Sequence, residues 1–330
     1  MTGITKFNDN SLITKEYFGT TTIDAFIASR HCSKKTTRTY RNSIRQLQKF
    51  FASKSITTPT TADVDAFISE LRTAKKSDST LRLYMTTTKL YFSFLEKRGV
   101  YHDVAADCEP LKLRQAKTHK KEALTDEQAK ALLNAVKGDS LIALRDKAVI
   151  ALCLTCGLRT CEVSRANVGD FKDAGSYWTL AVTGKGHQTA DEKVKVSLAV
   201  VELIQSYLDK RGNVDDDEPL FASTSNNNSK YGNRYSEQSV GKMIKRMMIK
   251  VGIAKPTKKD KNGRIKRSPI SAHSTRHSAA TCAINKKCDI REVSAMLRHS
   301  SLVVTSIYLH DISLKTRRAE LAVADVLFCA

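Results

Sequence analysis

The stretch SAHSTRHSAAT, residues 271–281, sets His273, Arg276 and His277 close together. On a helix, His273 and Arg276 stand three apart and share a face. A helix near 273–286 is expected, followed by others near 289–297 and 301–306. Histidine titrates near neutrality and arginine keeps its charge, so the pair joins a proton carrier to a fixed cation. Working outward, His299 lies in LRHSS and Tyr308 in SIYLH. Upstream, Lys185 lies in TGKGHQ (183–188) and Arg159 in GLRTCEV (157–163). Each has an ordinary structural reading. Arg159 can cap a helix or pair with Glu162, His273 and His277 can be satisfied helix histidines, and Tyr308 can be a core or interface aromatic. Lys185 can be a solvated turn lysine. Gly184-Lys185 is no phosphate-binding loop, because that motif needs glycine where Thr179 stands.

Composition frames these residues. The chain has 330 residues, enough for two domains. It carries 55 Lys+Arg against 34 Asp+Glu, a net charge of +21, so a polyanion is the first partner to consider. Fourteen glycines and five prolines stand against about 40 expected for this length, which favours helices over a large β-sandwich. No apolar run is long enough to span a membrane, and MTGITKFNDNSL lacks the pattern of a secretory signal. Eight scattered cysteines make no disulfide framework, so a reducing cytoplasm is the expected compartment.

Residues 1–20 read as an irregular lead and 21–105 as a bundle of about four helices. The sharpest helical pattern runs from Lys34 to Phe51. Tyr40, Ile44, Leu47 and Phe51 form its apolar stripe, and Lys34, Arg38, Arg41 and Arg45 a second, basic one. Between Arg30 and Lys49 there are seven Lys/Arg and no Asp/Glu. A solvated face ordinarily mixes signs, so this one is a candidate DNA-contacting surface, mainly to phosphates. Helices near 61–71 and 79–97 follow, with Gly99 as the stop of the second.

Residues 106–122 read as a basic linker, with Lys112, Arg114, Lys117, Lys120 and Lys121; it can lie along DNA or simply connect. The second domain, 123–330, starts at the Thr125/Gln128 capping-box spacing. An apolar helix over 141–156 should stop at Gly157. Residues 177–183 and 193–198 read as a β-hairpin, and helices follow near 198–211 and 236–251. Asp215–Glu218 and Asn226–Asn228 read as exposed loops, Lys255–Arg267 as a mobile basic loop, and 313–327 as a last helix. Cys153 and Cys156 lie in the apolar helix, where cysteine acts as a small hydrophobe; no second close pair completes a zinc site, so no metal is expected.

GLRTCEV, TGKGHQ, HSTRH and LRHSSLVVTSIYLH occur in the order found in the tyrosine recombinase (phage integrase) family, and the chain resembles that family over about 125–310. Residues 20–100 resemble its core-binding domain more weakly. The resemblance implies a mainly α protein with a small β-sheet (α+β), a helical core-binding domain joined to a catalytic domain. It implies that Arg159 is the first active-site arginine, Lys185 the hairpin lysine, His273 and Arg276 the His-x-x-Arg pair, His299 the His/Trp position and Tyr308 the nucleophile. Glu162 resembles a supporting acidic residue. The family often has leucine at Thr275 and glycine at Arg298. A glycine there can occupy a backbone conformation that arginine disfavours.

These side chains suit phosphoryl transfer. Two guanidiniums neutralise charge at non-bridging phosphate oxygens. A tyrosine phenol, with a pKa of about 10, needs a base or cationic field to lose its proton. His273 is the candidate base, Lys185 the candidate acid for the leaving 5′-oxygen, and His299 a donor to the phosphate. No cofactor or metal is needed, since protein cations carry the charge. The resemblance implies a 3′-phosphotyrosyl intermediate and a homo-tetramer exchanging strands between two DNA duplexes at a specific site, and it leaves room for an accessory directionality protein. The last segment would dock on a neighbouring protomer or pack on its own domain. Integration or excision of a phage or mobile element is the expected role. The alternatives are an Xer-like resolution recombinase, a type IB topoisomerase-like enzyme, and a non-catalytic DNA-binding protein.

Overall fold

The computed structural model describes residues 17–109, 111, 122–184, 189, 190, 192–224, 231–256, 258, 259, 265, 266 and 268–306. The chain divides into two compact units, Met1–Gln115 and Ala116–Ala330.

In the first unit, α1 (Thr20–Ala28), α2 (Lys34–Ser53), α3 (Thr61–Thr73) and α4 (Asp78–Lys97) form a bundle. α2 starts where the Ser33 hydroxyl accepts the Thr36 N–H, which satisfies one of the free donors of the first turn. Its apolar stripe is buried at Ile44, Leu47 and Phe51, and Tyr40 is half-buried with its ring 6.2 Å from that of Phe26. Thr60 and Asp63 form a capping box at the start of α3. α4 ends before Gly99, whose φ of +64° is the left-handed turn that terminates helices. Phe18, Phe26, Phe51, Tyr91 and Phe92 make an aromatic core, each burial contributing roughly 1.5–3 kcal/mol. The Tyr91 hydroxyl donates to the Tyr17 carbonyl, so the polar end of this buried ring is satisfied.

The second unit is built around α6 (Leu141–Thr155), which is apolar on nearly every side. Such a helix must be surrounded, and α5 (Asp126–Leu133), α8 (Leu198–Arg211), α9 (Glu237–Lys250) and α10 (Ala272–Asn285) all pack on it. α5 begins with the Thr125/Gln128 capping box read from the sequence. The short α7 (Thr160–Arg165) packs on α9, and α11 (Ile290–Leu297) and α12 (Leu302–Ser306) close the described chain.

The sheet has three antiparallel strands, β1 (Phe171–Asp173), β2 (Trp178–Val182) and β3 (Glu192–Val196), in that order. β2 and β3 are legible in residues 177–183 and 193–198, whereas β1 is not. β1 has three residues, of which only Phe171 is buried, too few to display an alternating pattern. Within Lys255–Arg267, read from the sequence as a mobile basic loop, β4 (Lys258–Lys259) and β5 (Ile265–Lys266) pair antiparallel. Two-residue strands again leave no periodicity to read. Of the Asp215–Glu218 loop, Glu218 is half-buried and pairs with Arg211 at 2.6 Å. The Asn226–Asn228 loop, the lysines and arginine of the basic linker, most of the N-terminal lead and the last helix lie outside the described residues.

Candidate active site

Three chain segments meet at the end of α6. The first is the turn from α6 to α7. Gly157 stands there with φ of +59°, and a Cβ on it would fall 2.8 Å from Leu297 Cδ2. A side chain here would be strained by the conformation and would require the Leu297 side chain to shift. Two residues on, extended Arg159 starts α7. Its backbone N–H donates to Glu162 Oε2 at 2.8 Å, and its Nη1 donates to Glu162 Oε1 at 2.6 Å. The capping and ion-pair readings of Arg159 are therefore both real, and they hold its guanidinium, which is a quarter exposed, at the protein surface.

The second segment is α10. His273 lies exposed in its first turn, with its ring 4.8 Å from that of His277 and edge-on to it. Arg276, one turn later, is almost fully buried. Its Nη1 donates to the Gly157 carbonyl at 2.7 Å and its Nη2 to the Leu297 carbonyl. Those carbonyls lie at the C-terminal ends of α6 and α11, where helix dipoles favour a cation. Arg159 and Arg276, far apart in sequence, are thus anchored to the same short turn.

The third segment is the end of α11. Arg298 has φ 54° and ψ 54°, the left-handed conformation anticipated for a glycine at this place. Its side chain folds inward, 3% exposed, and Nη2 donates to Glu162 Oε2 at 2.7 Å. Its Nε lies 3.8 Å from Glu192 Oε2 at the start of β3. His299 follows, its Nδ1 2.8 Å from the hydroxyl of fully buried Thr305 on α12, a contact that sets how the ring is turned.

Glu162 is the hub of these contacts and has no solvent exposure. Burial pushes its carboxyl up, but Arg298 and the donors of Arg159 outweigh this and hold it below the usual carboxylate range. The arrangement sets permanent cations around one buried anion, with histidines nearby. Such a site neutralises an anionic oxygen and moves protons.

Lys185 and Tyr308 lie outside the described residues. On α2, Lys34, Arg38 and Arg45 are exposed, whereas Arg41 is half-buried and paired with Asp24 of α1. Cys153 and Cys156 sit in the core; burial pushes the Cys153 thiol up to about 12. Among the described residues no helix is long and apolar enough to cross a membrane. The contacts of Arg298, Glu192 and Thr305 are not encoded in any local motif. The arginine in LRHSS was visible as a departure, but its contacts depend on α11 meeting α7 and β3.

Cations from two separate segments are thus gathered at one helix turn, in a mainly helical unit with a small sheet. Residues 122–313 match the model of the phage integrase family, and residues 23–99 that of its N-terminal SAM-like domain. The chain belongs to the phage integrase family, the tyrosine recombinases, enzymes that cleave and rejoin DNA. It is 27% identical over 300 residues to the tyrosine recombinase XerC of Alcanivorax borkumensis, covering 88% of this chain and 89% of that one. Its fold is similar to that of XerH site-specific recombinase bound to palindromic difH in a post-cleavage complex (TM-score 0.68, 20% identity, 96% of this chain and 90% of that chain). It is also similar to lambda integrase in a tetramer bound to a Holliday junction (TM-score 0.63, 16% identity, 91% and 78%).

Proposed function

We propose that this recombinase acts at a specific DNA site through Tyr308, in the service of integration and excision of a phage or mobile element. The observation that carries the reading is the anchoring of Arg159 and Arg276 to one turn, Gly157–Glu162. Their charges offset the negative charge that builds on the non-bridging oxygens during attack. The Tyr308 oxygen bonds to phosphorus as its proton passes to His273, and the bond to the 5′-oxygen breaks as Lys185 supplies that oxygen with a proton. His299, oriented by Thr305, donates a hydrogen bond to the phosphate. Glu162 keeps Arg159 in place. The product is a 3′-phosphotyrosyl link and a free 5′-hydroxyl. Attack by a 5′-hydroxyl from a second duplex reverses the step and joins new strands without an external energy source.

Residues 21–105 serve as the core-binding domain, 106–122 as a basic linker and 123–330 as the catalytic domain. Lys34, Arg38 and Arg45 contact the DNA backbone, with Arg41 contributing less because Asp24 already holds it. Four protomers on two duplexes in the cytoplasm make up the working assembly, a reading supported by the likeness to the lambda integrase tetramer. A second reading, resolution of chromosome or plasmid dimers, is supported by the similarity to XerC along nearly the whole of both chains.

Duplexes from DNA flanking the gene, offered in pairs, test the reading. Wild type is expected to exchange strands between two duplexes at one site, and Tyr308→Phe to exchange none. Cleavage and resealing of one duplex without exchange would contradict recombination. Exchange at the ends of an element supports integration, whereas exchange only between direct repeats of a replicon supports resolution.

A further inference from the structure

We infer that Arg298 is a positioning residue for Arg159. From the end of α11 it clamps the Glu162 carboxylate, on which Arg159 rests, while its Nε faces Glu192 on β3 at 3.8 Å, beyond hydrogen-bond distance. The inference rests on the proposed role of Arg159 in phosphate binding.

The backbone is the first observation. Arg298 adopts a left-handed conformation that disfavours any residue with a Cβ, and a bulky side chain there persists only if its surroundings hold it. The second observation is what holds it. A guanidinium at the surface of a basic protein would ordinarily reach for water, yet this one is 3% exposed and faces a fully buried carboxylate. Glu162 Oε2 accepts two hydrogen bonds, from the Arg159 backbone at 2.8 Å and from Arg298 Nη2 at 2.7 Å. With Oε2 held from two sides, the carboxylate cannot turn, and Oε1 is fixed toward Arg159 Nη1 at 2.6 Å. Removing Arg298 leaves Oε2 with the backbone donor alone, so the carboxylate gains freedom to rotate and Arg159 with it.

The third observation is the reach of Arg298 across elements. Its Nη1 donates to the Met296 carbonyl, its Nη2 lies 3.5 Å from the Gly157 carbonyl, and its Nε is 3.8 Å from the half-exposed Glu192 carboxylate. One planar side chain therefore touches the α6–α7 turn, α7, α11 and the first residue of β3. An ammonium has no such fork and could not hold the Glu162 carboxylate and the Met296 carbonyl at once in this planar geometry. Arg298 also adds a cation beside Glu162, so that this carboxylate does not cancel the charge Arg159 presents to an anion.

Single-turnover cleavage of a nicked duplex carrying the recombination site, together with DNA affinity measured on the same duplex, tests the inference. Arg298→Gly removes the clamp and at the same time relieves the backbone. It is expected to bind DNA within about threefold of wild type and to cleave at least about tenfold more slowly. Arg298→Lys is expected to cleave at least about threefold more slowly than wild type but faster than Arg298→Gly. A role in packing alone would move the melting temperature and leave the cleavage rate of the folded, bound enzyme where it was. Wild-type cleavage by Arg298→Gly overturns the inference. Should Arg298→Gly fail to fold, Arg298→Lys carries the test, and a wild-type rate in that variant overturns it equally. Arg159→Ala and Tyr308→Phe run beside them: if either cleaves, the underlying assignment fails. If both are silent while Arg298→Gly is as fast as wild type, only the positioning role falls.

Discussion

At the scale of single residues, the site is governed by a few positions with no room for change. Gly157 combines a positive φ with a clash that any Cβ would create against Leu297. Gly157→Ala is expected to lower stability by about 2–5 kcal/mol, the sum of left-handed strain and overpacking, as read by thermal or urea unfolding. A change within about 0.5 kcal/mol, the range of an ordinary surface substitution, would show that the turn relaxes freely. Glu162 adds a pH signature. Its carboxyl is held below its ordinary value in the folded chain, so the stabilisation is fully present above the unfolded pKa of about 4.3. It disappears as pH falls through the folded value. Glu162→Gln should therefore be less stable than wild type at pH 7, and the gap should shrink as unfolding is measured below about pH 4. A gap that stays constant with pH would contradict the ion-pair account.

At the scale of elements, α6 organises the second unit, and it buries an ion pair as well as apolar side chains. Arg145 Nε and Nη2 reach Asp146 Oδ1 at 3.0 and 2.8 Å, Nη1 reaches the Ala222 carbonyl at 2.9 Å, and the guanidinium lies 3.9 Å from the centre of the Tyr235 ring. Removing Arg145 leaves the buried Asp146 carboxylate only the more distant and largely exposed Arg246, at 3.7 Å, so Arg145→Ala is expected to cost about 3 kcal/mol in urea unfolding, the lower end for a broken buried pair. A drop under about 1 kcal/mol, the size expected of an exposed pair, would mean that Arg246 or water takes over the Asp146 carboxylate. Burial of α6 also pushes the thiols of Cys153 and Cys156 up, which leaves them protonated at neutral pH. In the native protein iodoacetamide should modify the exposed Cys32, Cys282 and Cys288 first, with Cys153 and Cys156 reacting only after denaturation, as peptide mapping would record.

Elements long enough to show their period were legible from sequence. The stripe of Ile44, Leu47 and Phe51 gave α2, Thr125 with Gln128 gave the start of α5, and Gly157 gave the end of α6. The strands β1, β4 and β5 were not legible, because two or three residues carry no pattern. In the site, Arg159 and Arg276 could be picked out by their motifs. The pairing of Arg298 with Glu162 and of His299 with Thr305 arises only when distant segments pack, and no local spacing encodes it.

At the scale of the whole molecule, a net charge of +21 makes affinity for DNA strongly salt-dependent. Removing one exposed cation that meets a phosphate should reduce the slope of log affinity against log salt by about 1. Arg38→Ala and Arg45→Ala are expected to do so, and Arg41→Ala to have the smaller effect, since Asp24 already neutralises it. Equal effects of all three would contradict this reading of the α2 face. Charge gives adhesion to DNA, while in the proposed mechanism covalent exchange depends on the Tyr308 oxygen. The most direct measurement is therefore mass spectrometry of the peptide that stays attached to a nicked recombination site after denaturation. The account predicts a 3′-phosphate ester on Tyr308 and no adduct from Tyr308→Phe. An adduct on another residue, or an unchanged adduct in the Tyr308→Phe variant, would contradict it.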